Sequence, residues 1–412
     1  MKFCNPTDKK KDSEKISILD DYTCKIFNSI KQVPQPDWEN SNINNNFFLS
    51  PEYLEVLENT KLSEYKFIYS LICLRDKPVG IIYFQLVDFR PDIFGNIISG
   101  QVKKFSNGNN DAENFKNKSE NSSGLFQLLT LGNNFITGEH GFQFISDVSR
   151  STQFELLEAL SKLICQKEKL KGKISALLIK DFYPKQLPEK NKFTESKFIE
   201  FFVEPNMILN LPDNLNSLND YISLFSKKYR NRAKKIFNCA SGIDKIDLSL
   251  DKICELRNEI YNLYLQVYDN AKFKLVKLGP DYFSDCKNKF GERFIVTGYF
   301  LNGKIIAFNS SIILNETDIE AHFIGIDYSL NIQFELYQNI LYNFIELTIS
   351  KNRKVLNFGR TAAEIKSTIG AKSEDMLCYV KPQNSFSKLI LKSFLSFLRP
   401  SDWTPRNPFK EN

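Results

Sequence analysis

Residues 294–326 read F-I-V-T-G-Y-F-L-N-G-K-I-I-A-F-N-S-S-I-I-L-N-E-T-D-I-E-A-H-F-I-G-I, and their pattern decides the fold. β-Branched and aromatic residues fill both sides of Leu301-Asn302-Gly303-Lys304. Asn-Gly between two such runs is the strongest short-range hairpin signal, so 294–300 and 305–314 are expected as paired strands. Residues 320–326 follow as a third strand. Downstream, 333–349 reads as a helix, 355–358 as a fourth strand and 376–380 as a fifth.

The same order stands upstream. Residues 67–74 and 79–87 flank the turn Arg75-Asp76-Lys77-Pro78, and 124–131 reads as a buried strand. Phe154, Leu157, Leu160 and Ile164 recur at helical spacing, and 174–179 and 197–203 read as strands. Ser50-Pro51-Glu52 opens a helix, with Ser50 as cap and Pro51 in the first turn. Helical stretches at 218–241, 250–270 and 281–289 separate the halves. Strands and helices mixed in this order predict an α/β protein with a twisted mixed β-sheet flanked by helices in each half. The expected division is a largely irregular polar leader at 1–46 and domains at 47–205 and 206–385. The second domain carries inserted helices at 218–290, and an amphipathic helix and tail occupy 386–412. Residues 107–123, rich in Asn, Ser, Gly and Lys, read as a mobile loop.

Composition bounds the function. A chain of 412 residues exceeds the usual size of a single core. Its eight cysteines are scattered without a C-x-x-C pair, and only two histidines could join them, so neither a metal site nor a disulfide framework is expected. No run approaches the ~18 apolar residues of a membrane span, and no apolar stretch follows Lys9-Lys10-Lys11 as in a secretory signal. A reducing cytoplasm is the expected compartment. The net charge of +6 is too small for wholesale duplex binding, which shifts attention to local basic patches.

On this order of elements the chain resembles the GNAT acyltransferase fold. Its duplication is similar to that of the Fem-type peptidoglycan aminoacyltransferases and related bacterial proteins. Two runs carry the likeness, 226–235 (S-K-K-Y-R-N-R-A-K-K) and 357–371 (N-F-G-R-T-A-A-E-I-K-S-T-I-G-A). The resemblance implies two tandem GNAT-like domains and transfer of an acyl or aminoacyl group from a thioester or ester donor to an amine. Acyl-CoA is then a candidate donor, and no metal is called for. The rival implied by the same fold is a non-catalytic module binding a nucleotide, a nucleic acid or a cell-envelope precursor. One departure is plain. The family's acyl-CoA loop places glycines before a helix so that bare N–H groups cradle a pyrophosphate, whereas 327–334 reads D-Y-S-L-N-I-Q-F. In the first half 132–141 is glycine-rich, which nominates Gly138, His140 and Gly141 for a cofactor; the glycines equally suit simple turns.

Acyl transfer to an amine needs a base, an acid for the leaving group and donors for the oxyanion. Glu320 and His322 stand two apart on one strand, hence on one face, which sets a carboxylate beside an imidazole. The resemblance places the general base on this strand, so His322 aided by Glu320 is the catalytic candidate; a hydrogen-bonded rim pair is the alternative. Arg360 follows a strand's C-terminal end, where α/β sheets bind ligands, and is read as a substrate contact with Glu364 and Lys366 beside it. Arg360 and Glu364 also suit a plain i, i+4 pair. Tyr229, Arg230 and Lys234 belong to a helix with six basic residues in nine, a surface for tRNA or an anionic membrane, or else a solvated face. The stretch 386–398 suits a peripheral membrane contact, packing on the body, or a homodimer.

Overall fold

The computed structural model describes residues 15–60, 65–89, 126–169, 174–187, 192–271 and 277–384, with 387–388, 391, 395, 400 and 402–410 of the remainder. The expected loop at 107–123 and most of the amphipathic stretch lie outside these residues. Within that stretch, Leu391 is buried in the core.

Among the described residues, fourteen strands form one mixed sheet, flanked by helices. In chain order they are β1 (Ile16–Leu19), β2 (Tyr22–Phe27), β3 (Tyr65–Leu74), β4 (Lys77–Phe89), β5 (Phe126–Leu131), β6 (Phe142–Phe144) and β7 (Ile174–Phe182). The second series is β8 (Ile199–Asn210), β9 (Asp244–Asp247), β10 (Phe294–Leu301), β11 (Lys304–Ile313), β12 (Asp318–Ile326), β13 (Val355–Asn357) and β14 (Lys372–Pro382). The order across the sheet is β1-β2-β3-β4-β5-β7-β14-β8-β13-β12-β11-β10-β9, with β6 on β4.

Each half builds a hairpin, a third strand, a helix (Arg150–Lys169 or Leu336–Ser350) and a fourth strand parallel to the third. The halves then trade strands. After β7 the chain crosses to β8, which pairs with β13; after β13 it crosses to β14, which pairs with β7. β8 and β14 pair with each other at the centre, so the two halves share one sheet. The expected boundary at 205/206 falls inside β8. Sequence reading split this strand at Pro205, yet Pro205 sits where the β8–β14 register shifts, the kind of place where a sheet tolerates a residue without an N–H. One apolar cluster runs from Tyr53 and Tyr83 of the first half to Phe294 and Phe308 of the second.

Residues 15–46 depart from the expected irregular leader. They form the edge hairpin β1–β2 and the helix Gln35–Ser41, which buries Trp38 completely and donates its indole N–H to the Leu49 carbonyl at 2.7 Å. The many polar residues there disguised the few anchors that fold against β3. The expected helix at 333–349 also differs: Tyr328–Phe334 and Leu336–Ser350 are separate helices, broken at Glu335 in the left-handed region (φ 50°).

No helix among the described residues is long and apolar enough to cross a membrane. No described cysteine is in a disulfide, and no described cluster of His, Cys, Asp and Glu is grouped to hold a metal.

Candidate active site

The third and fourth strands stay together in the first half and part in the second. β5 and β7 run parallel from Gln127↔Ile174 to Leu131↔Ile179. β12 and β13 pair only over Asp318↔Val355, Ile319↔Leu356 and Glu320↔Asn357. Beyond Glu320, β12 continues with no strand on that side among the described residues, because β13 has ended. The result is a slot in mid-sheet that opens into a cavity of about 1060 Å³ lined by both halves.

Backbone irregularities aim side chains into it. Along β12 the register with β11 shifts between Ser311↔Ala321 and Asn309↔Ile324, so His322 and Phe323 bulge opposite Ser310. Along β7 the register with β14 shifts between Leu377↔Phe182 and Tyr379↔Ile179, so Lys180 and Asp181 bulge opposite Cys378. Asp181 takes φ +66° there, a conformation that short polar side chains tolerate best. Bulges of this kind re-aim side chains next to active sites. This one gathers neighbours that would otherwise point to opposite faces.

Glu320 and His322 both line the cavity, as their spacing requires, but the carboxylate does not rest on the imidazole. Glu320 is hydrogen-bonded to Asn357 and feels the Lys366 ammonium, while its Oε2 is buried without a partner. Burial outweighs both neighbours and pushes its carboxyl well above the usual range, which favours its protonated form. His322 is half-buried among Tyr282, Phe294 and Phe323, and its Nε2 meets the Tyr282 hydroxyl at 2.6 Å. Burial pushes its imidazole down to about 3, which keeps it neutral. Tyr282 in turn approaches the Tyr53 hydroxyl of the first half at 3.4 Å.

Arg360 lines the cavity but does not pair with Glu364. Its Nη1 donates to Asp181 Oδ1 at 2.9 Å across the junction of the halves, while Glu364 pairs with Arg406 at the surface. Asp181 is fully buried, accepts from the Lys180 ammonium at 2.5 Å and takes the Gly138 N–H at 3.2 Å. Burial would raise its carboxyl, but the Arg360 and Lys180 charges prevail and hold it below the ordinary value.

Lys366 is buried too, and its three ammonium protons go to the carbonyls of Phe358, Gly359 and Arg360. The loop it grips holds Gly359, Thr361 and Ala362 at φ +67°, +69° and +50°. For Thr361 and Ala362 that conformation costs about 1 kcal/mol or more each. Burial draws the Lys366 ammonium down to about 7.

The remaining candidates lie elsewhere. Gly138, His140 and Gly141 are outside the cavity lining. The Gly138 N–H is spent on Asp181, and Gly141 is where the backbone passes too close to Gly132 for a side chain. His140 sits on Phe48 with its ring nitrogens at Asn46 Oδ1 and the Thr137 carbonyl, and burial lowers it to about 4. Tyr229, Arg230 and Lys234 ride the helix Lys227–Cys239, also outside the lining. Arg230 is turned back onto the Phe225 carbonyl.

A pyrophosphate cradle does not fit the start of the helix Leu336–Ser350. The preceding helix and the Glu335 carboxylate stand at that end, and the Tyr337 N–H already donates to Asn331 Oδ1 at 3.0 Å. Sequence reading missed Lys180 and Asp181, whose side chains look like ordinary strand residues until the bulge is seen.

No described protein family matches the sequence, and no curated protein does. Solved structures with a similar chain path include a tandem GNAT protein from the clavulanic acid biosynthesis pathway, with 8% identity, 88% of this chain and 99% of that one covered, and a TM-score of 0.48. FemX is similar at 10% identity over 83% of this chain and 93% of its own, with a TM-score of 0.46. A GCN5-related N-acetyltransferase from Sphaerobacter thermophilus is similar at 8% identity, 89% and 97% coverage and a TM-score of 0.44. At these identities the likeness is one of fold.

Proposed function

We propose that this chain transfers an acyl or aminoacyl group to an amine within the slot where β12 and β13 part. The observation that carries the reading is that separation after Glu320↔Asn357, which leaves an open strand edge running past Glu320 and His322 into the cavity. A donor with peptide-like amides can lie along such an edge as an added strand.

The placement of the side chains around the slot supports the following division of work. Neutral His322 takes the proton of the attacking amine, and the Tyr282 hydroxyl holds its ring in place. Glu320, whose burial favours the protonated form, gives its proton to the leaving thiolate or alkoxide. Arg360, one nitrogen on Asp181 and a quarter exposed, turns its remaining N–H groups to the developing oxyanion or to a substrate carboxylate.

The helix Lys227–Cys239 supports a polyanionic portion on one partner, a tRNA acceptor stem or an anionic lipid surface. It carries six basic residues and no acidic one, leaving 49 basic against 49 acidic residues in the rest of the chain. Arg232 on this helix bonds Gln338, beside the cavity-lining Tyr337. Acyl-CoA is a donor candidate through its acyl and amide portions, since the helix start offers its pyrophosphate no cradle.

The test is thiol release from a panel of acyl thioesters, and deacylation of aminoacyl esters, with and without amines. His322→Ala and Glu320→Gln are each expected to lower turnover about a hundred-fold. Turnover undiminished in both variants overturns the assignment. A panel on which no donor is consumed overturns the function.

A further inference from the structure

The cavity is far larger than the chemistry at its slot requires, and its far end is apolar. From β12 it reaches Leu128 on β5, six adjacent strands away counting both ends. Five spacings of about 4.8 Å make a run of roughly 24 Å. The polar row on β7 and β14, Lys180 and Cys378, is followed one register step further by Leu178 opposite Val380. Leu128 extends that floor, and Phe201 on β8 flanks it.

A second feature stands out here. Leu178 and Phe201 pack against the buried core, yet both remain only partly buried, as do Phe135 and Leu395. Interiors are normally close-packed, so half-covered aliphatic and aromatic side chains around an internal void mark the imprint of an apolar ligand. A run of roughly 24 Å is longer than a globular aromatic ligand spans. The polar slot at one end and the aliphatic floor at the other match an amphiphile with an acyl head and an unbranched tail.

We infer that the cavity takes an unbranched aliphatic acyl chain of about a dozen carbons or more, its carbonyl at the Glu320–Arg360 end and its tail over Leu178, Val380 and Leu128. That this chain is the group transferred rests on the function proposed above; that it binds does not.

The experiment separates the two. Saturated fatty acids from four to eighteen carbons compete with a dansyl-labelled undecanoic acid for the full chain, the carboxylate standing in for the acyl carbonyl. Affinity is expected to rise roughly ten-fold for each two added methylenes and then level off, with one site per chain. Leu178→Trp, which fills the floor, is expected to shift the plateau to shorter acids. Phe201→Ala, which widens the channel, is expected to shift it to longer ones, and circular dichroism confirms that each variant is folded. Affinity that is flat with chain length, or a plateau that neither variant moves, overturns the inference. Chain-length-dependent binding without turnover of any thioester or ester donor leaves the inference standing and removes the transferase reading.

Discussion

Asp181 joins the two halves electrostatically, and replacing it tests whether that junction stabilises the protein. The carboxylate is fully buried, paired with Lys180 at 2.5 Å and with Arg360 at 2.9 Å, and takes one backbone N–H from Gly138. Asp181→Asn keeps the shape and the left-handed backbone but removes the charge. Removing one member of a buried pair costs about 3–5 kcal/mol, because the other charge is left uncompensated. Two features discount this. Arg360 is a quarter exposed, so water recovers part of its solvation, and the Lys180 ammonium keeps the carbonyls of Asn133 and Ile136. A loss of about 3 kcal/mol is therefore expected in urea unfolding. The sharper measurement is the cycle with Arg360→Met. Residues in one ion-pair network couple by about 0.5–3 kcal/mol, and a coupling of at least about 1 kcal/mol is expected here. Effects that add within about 0.3 kcal/mol would refute the claim that this pair links the halves.

The histidines are half-buried and neutral, with folded values of about 3 for His322 and about 4 for His140, below the unfolded value near 6.5. The stability tied to their neutral forms is whole above pH 6.5 and is lost as pH falls from there towards those values, because the unfolded chain takes up the protons first. His322→Asn should accordingly flatten the pH dependence of urea stability by about 1.4 kcal/mol per pH unit between pH 6 and 4; an unchanged slope refutes the burial argument. Glu320 has the opposite sense: burial raises its value, so the folded state favours its neutral form and loses stability as pH rises above the unfolded carboxylate value. Glu320→Gln should raise the urea midpoint at pH 8 while lowering turnover, and a fall in both would show a merely structural residue. Trp38→Ala should cost about 3–5 kcal/mol by emptying a fully buried site, whereas a change below about 1 kcal/mol would mean the segment before residue 47 does not belong to the fold.

How far the sequence reaches can be judged residue by residue. The hairpin around Asn302-Gly303, the strand carrying Glu320 and His322 and the helix with Phe154 and Leu157 were legible because strand and helix periods are local signals. The pairing partners of Arg360 and Glu364 were not. A spacing of four suggested that they meet, yet Asp181, 179 residues earlier, takes the guanidinium. No local period encodes a contact at that separation.

By itself, then, the sequence determined the kinds of element, their order in each half and the presence of an acid, an imidazole and a guanidinium near strand ends. Only the tertiary structure decided that β8 and β14 change sides and that β13 stops after three residues to open a slot. It also decided that bulges at His322–Phe323 and Lys180–Asp181 bring His322, Phe323 and Lys180 to one cavity and set Asp181 against Arg360. Those features depend on which strand lies beside which and in what register, and that is set by the summed packing of both halves rather than by any stretch of neighbouring residues.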